Sequence, residues 1–122
     1  MKMPIVIIEH GDVFMFESVE KAEMALEAID VKNGEYVAYD GNGYPLALAV
    51  VKKERSSSFF GKWIIDGVEI SEITNKMNNH ASELKRALND FFKETNNYED
   101  RCESLSLPDL INKFICCYGY DE

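Results

Sequence analysis

The stretch Pro4–Asp30, PIVIIEHGDVFMFESVEKAEMALEAID, decides the fold, because the hydrophobic period changes inside it. Ile5-Val6-Ile7-Ile8-Glu9 is a β-branched run, Gly11-Asp12 is a turn pair, and Val13-Phe14-Met15-Phe16 is a second apolar run. Together they predict a hairpin of two strands. From Ser18, an N-cap residue, the apolar positions become Val19, Ala22, Leu26 and Ile29, spaced by three and four as on one helix face. The spacing predicts one helix over about 19–29.

Downstream, Asn33-Gly34 ends that helix and Glu35-Tyr36-Val37-Ala38-Tyr39 returns to a strand pattern, closed by the turn Asp40-Gly41-Asn42-Gly43. About Tyr44 to Lys53, apolar residues occupy both alternating sides, which predicts a central strand covered on both faces. Arg55-Ser56-Ser57-Ser58 reads as a polar break. Trp63-Ile64-Ile65, Asp66-Gly67 and Val68-Glu69-Ile70 then read as strand, two-residue turn and strand. From about Thr74 to Glu94, Met77, Ala81, Leu84, Leu88 and Phe91 form a helical stripe, the longest in the chain. Ser106-Leu107-Pro108-Asp109 is a helix start, and residues 107–118 form the last helix, with Leu107, Leu110, Ile111, Phe114 and Cys117 or Tyr118 inward. The expected architecture is a single α+β domain, 1–122: a mainly antiparallel sheet of five or six strands, one inserted helix and two C-terminal helices.

The 122 residues suit one core, and 46% hydrophobic with 29% charged residues fits a globular chain rather than a disordered one. No apolar run approaches a membrane span, and Met1-Lys2-Met3-Pro4 leads into too few apolar residues for a signal segment, so the expected place is the cytoplasm. Cys102, Cys116 and Cys117 are then expected to be free thiols, at least one of them packed. A net charge of −9 disfavours nucleic acid and anionic membranes as partners and favours a cationic protein, although acidity also serves solubility.

No catalytic, metal or cofactor signature emerges. His10 and His80 stand apart, without the His-x-x-x-His or Cys-x-x-Cys spacings of metal sites. A thiol nucleophile built from Cys102 or Cys117 with His80 and Glu83 is conceivable, but no spacing demands it. Asp40-Gly41-Asn42-Gly43 lacks the oxygen ligands of a calcium loop at their required offsets, and a strand follows it where a phosphate loop needs a helix. The chain is therefore expected to bind without catalysing. Nine carboxylates against Lys21 and Lys32 lie between Glu9 and Asp40, and Glu20, Glu23 and Glu27 are expected to share the outward side of the first helix. Lys52, Lys53, Arg55 and Lys62 form one basic patch, read as a protected strand end and loop.

Three segments resemble small bacterial immunity proteins encoded beside polymorphic toxins, including those of contact-dependent growth inhibition. They are Ile7-Ile8-Glu9-x-Gly11-Asp12, then Ser18-x-Glu20-x-Ala22-Glu23-x-x-Leu26-Glu27-x-Ile29-Asp30-Val31, then Asn33-Gly34-Glu35-Tyr36-x-Ala38-Tyr39-Asp40-x-x-Gly43. The likeness covers roughly the first 45 residues and carries no shared functional residues. It implies a cytosolic inhibitor that covers an essential surface of a cognate toxin domain, often a nuclease. The residues expected to contact such a partner are Glu20, Glu23, Glu27, Asp30, Glu35, Asp40 and Asn42. The alternative is a general interaction or oligomerising module that uses the aromatics Phe59-Phe60 and Tyr118-x-Tyr120. A small thiol-dependent enzyme ranks below both.

Overall fold

The computed structural model describes residues 1–73 and 79–121. It is an α+β fold in three layers. Five strands, β1 (Ile5–Glu9), β2 (Asp12–Phe16), β3 (Tyr36–Tyr39), β4 (Pro45–Ser57) and β5 (Gly61–Glu72), form one antiparallel sheet in the order β2-β1-β3-β4-β5. Helices α1 (Val19–Ala25) and α2 (Ala28–Lys32) lie on one face. On the other lie α3 (Ala81–Glu94), a 3-10 turn (Asp100–Ser104) and α4 (Leu107–Tyr118).

The two cores follow from strand alternation in β1. Ile5 and Ile7 point to the α1/α2 side, where they pack with Phe16, Ala22, Leu26, Leu46, Val68 and Ile70. Val6 points to the opposite side with Val13, Met15, Tyr39, Leu84, Leu88, Phe92 and Phe114. An unbroken apolar run is what a strand buried on both faces requires. Here that strand is β1, and the centre of the sheet is β3. The expectation that residues 44–53 form the central, doubly covered strand is corrected: β4 is fourth in order, pairs with β3 only through Leu46 and Pro45, and leaves Ala49 exposed.

Two further sequence expectations change. The helix expected over 19–29 breaks at Leu26 and Glu27, both in extended backbone. Ser18 caps α1 as expected, but Tyr36 of β3 reaches into the break. Its hydroxyl accepts from the Glu27 N–H at 3.5 Å and donates to the Asp30 carboxylate at 3.2 Å. Re-aimed by this break, α2 turns Ala28 and Val31 inward and leaves Ile29 exposed.

Asp66-Gly67 is not a turn. β4 and β5 pair in register from Leu46↔Glu72 to Ser57↔Gly61, so the supposed polar break is strand and the chain reverses at Ser58-Phe59-Phe60. The reason lies in the neighbours of the Asp-Gly pair. The Asp66 carboxylate accepts from Lys52 across the ladder and from Lys32 of α2 at 3.1 Å. A side chain on Gly67 would overlap the Lys53 stem, which crosses that position to place its Nζ 2.9 Å from the Val68 carbonyl.

The C-terminal helices are closer to expectation. α4 spans 107–118 with Ser106 as its cap, and Leu107, Leu110, Ile111 and Phe114 are buried, while Cys117 faces out. α3 begins at Ala81, after His80 at the N-cap, later than the expected start near Thr74; Met77 lies outside the described residues. Its start is held by the β3–β4 turn: the His80 N–H donates to the Gly43 carbonyl at 2.9 Å, and Asn79 bridges the Asn42 carbonyl and the Ala81 N–H.

Gly43 has φ +86°, and a Cβ there would lie 2.7 Å from the Ala81 Cα. Gly43→Ala should therefore lower stability by about 1–3 kcal/mol in denaturant unfolding. Gly34→Ala, with φ +69° but open space around its Cβ, should cost less. Equal losses would show that the contact with α3 contributes nothing.

Candidate binding surface

The seven residues expected to touch a partner divide into separate groups. Glu20 and Glu27 are exposed on α1 and at the start of α2. Glu23 is not outward: its carboxylate accepts the Ile70 N–H at 2.7 Å and so caps the outer edge of β5. A helical wheel places Glu23 beside Glu20 and Glu27, but it cannot show a sheet edge with an unpaired donor next to that face.

Asp30 holds the Tyr36 hydroxyl, and desolvation together with that neighbouring carboxylate pushes the Tyr36 phenol above its ordinary value. Glu35, directly before β3, pairs with His10 in the β1–β2 turn, where His10 has φ +50°. Asp40 is only 5% exposed, so its placement among surface carboxylates is corrected. Its Oδ1 accepts the N–H groups of Asn42 and Tyr44 at 2.9 and 3.0 Å, which organises the turn that seats α3. Asn42 is exposed, and with Asp40, Tyr44 and Glu72 it lines a concavity of about 440 Å³. That concavity does not include Glu20 or Glu27.

What the sequence reading missed on α1 and α2 is apolar. Met24 is 79% and Ile29 62% exposed, and in chain order the exposed residues from α1 to α2 are Glu20, Lys21, Met24, Ala25, Glu27, Ile29 and Lys32. The helical stripe assigned Ile29 to the core, and the break at Leu26 turned it out.

The other expected features are also placed. Cys102 is buried in the α3/α4 core, while Cys116 and Cys117 are exposed on α4, all three free. His80 sits at the start of α3, its ring 6.5 Å from that of Tyr39. The basic patch and Phe59-Phe60 occupy the far half of the β4–β5 hairpin. Among the described residues no helix is long and apolar enough to cross a membrane, and no group of three His, Cys, Asp or Glu residues is placed to hold a metal. No family model, curated protein or solved structure matches the chain.

The His10–Glu35 pair yields a pH prediction. The hydrogen bond that His10 donates to Glu35, then the Glu35 charge, raise the His10 pKa above 6.5. A raised folded-state pKa means the pair's stabilisation is full below about pH 6.5 and is lost as pH rises through the raised value. An NMR titration should place the His10 midpoint above that of a free histidine, and Glu35→Gln should lower it, with Glu9 and Asp12 holding it up in part. An identical midpoint in the variant would dissolve the pairing.

Proposed function

We propose that this chain is an immunity-type protein that binds and neutralises a cationic toxin domain through the outer side of α1 and α2. The observation that carries this proposal is the exposure of two large apolar side chains, Met24 and Ile29, on a helix pair that also exposes Glu20 and Glu27. An apolar centre within a charged rim is the usual anatomy of a protein-binding surface. Carboxylates around it speed association with a basic partner, and the overall charge of −9 acts in the same direction. The resemblance to immunity proteins spans the segments that build this helix pair, the end of β1 and β3. Of the residues expected at the contact, Glu20 and Glu27 remain in that role. Glu23, Asp30, Glu35 and Asp40 hold the fold.

The test is to read the gene beside this one for a secreted protein with a toxin domain and to co-express that domain with this chain; a neighbour with no such domain would count against the proposal. Growth should be rescued and a one-to-one complex should be isolated; continued killing with no complex would end the proposal. Within the complex, Glu20→Lys with Glu27→Lys should slow association about tenfold at low salt. Met24→Ala with Ile29→Ala should chiefly speed dissociation. All four side chains are exposed, so melting temperatures should hardly move. Unchanged association and dissociation rates would remove the contact from this face.

A further inference from the structure

The far half of the β4–β5 hairpin stands apart from both cores. β3 pairs with β4 only at Leu46 and Pro45, and neither core includes a hairpin residue between Val50 and Gly67. At its end Phe59 is 91%, Phe60 84% and Ile64 69% exposed, with Trp63 also in solvent. Four such side chains leave on the order of 500 Å² of apolar surface in water, shared between the tip and the two faces of the arm.

The outer edge of β5 is treated differently along its length. The Ile70 N–H points away from β4, since it reaches the Glu23 carboxylate, and the Val68 carbonyl is met by Lys53. Outward-facing residues alternate along an antiparallel edge, so Asp66, Ile64 and Lys62 also turn their N–H and C=O groups outward. Among the described residues no partner takes these groups. The base of the edge is capped and the projecting part is open.

We propose that a second copy of this chain pairs with that open edge, β5 against β5 in antiparallel register about a two-fold axis at Ile64. The sequence complements itself in this register. Ile64 meets Ile64, Trp63 meets Ile65 and Lys62 meets Asp66 of the second copy, which are aliphatic, aromatic-to-β-branched and opposite-charge pairs of the stabilising kind. About six main-chain hydrogen bonds form across the axis. Gly61 meets Gly67, so pairing ends where the caps of Lys53 and Glu23 begin. Each aromatic tip then lies alongside Val68 and Glu69 of the other copy. Pairing packs the flanks of these side chains against their cross-strand partners, to which the main-chain hydrogen bonds add. An anionic membrane is the poorer occupant, because a chain of charge −9 is repelled by it.

This pairing does not rest on the toxin-binding proposal, and its variants leave Glu20, Met24, Glu27 and Ile29 intact. Sedimentation velocity of the full chain should show a monomer–dimer equilibrium shifting with concentration. Ile64→Pro removes an outward N–H while sparing the β4 ladder, so the dimer should disappear and the circular dichroism of the monomer should persist. In a Cys116→Ser, Cys117→Ser background, Ile64→Cys should form an interchain disulfide on mild oxidation, because hydrogen-bonded antiparallel pairs place their Cα atoms about 5.5 Å apart. A wild-type chain that stays monomeric up to about 1 mM overturns the pairing. So does a dimer that survives Ile64→Pro, a failure of Ile64→Cys to cross-link, or capture of the monomer by phosphatidylserine vesicles.

Discussion

The structure depends on β1 being apolar on both sides. A strand with Ile5 and Ile7 to one face and Val6 to the other has no face it can show to water, so a helical layer must cover each. The α1/α2 pair supplies one and the α3/α4 pair the other. β2 and β3 flank β1 and share that cover, whereas β4 and β5 are covered on the α1/α2 side only near their base. The unequal reach of the layers leaves a long hairpin half in the body and half outside it.

Elements whose boundaries are set by local chemistry were legible in the sequence. Ser106, Pro108 and Asp109 fix the start of α4 through capping, and the first hairpin follows from its two apolar runs, although its turn is His10-Gly11 and the expected turn residue Asp12 begins β2. Elements set by distant neighbours were not. The break between α1 and α2 is met by a tyrosine hydroxyl from β3, and Asp66-Gly67 lies within the continuous β4–β5 ladder, where a lysine stem from β4 occupies the space a side chain at 67 would fill. Both signals exist in the sequence, as Tyr36 and as Lys53, but only pairing of the strands gives them meaning.

The same division holds for the surface. Spacing alone placed Glu20, Glu23 and Glu27 on one helix face, yet Glu23 satisfies a main-chain donor of β5 and Asp40 satisfies two of its own turn. A carboxylate near an unpaired N–H is drawn to it, because an unmet buried donor costs more than a solvated acid gains. Acidic residues therefore split between holding the chain together and facing outward, and composition cannot separate the two.

The Gly43 carbonyl that receives the His80 N–H ties the first turn of a helix to the loop between two strands. Fraying of that helix end and parting of β3 from β4 thus belong to one local opening event, and amide protons on both sides of this joint should exchange with solvent at a common rate.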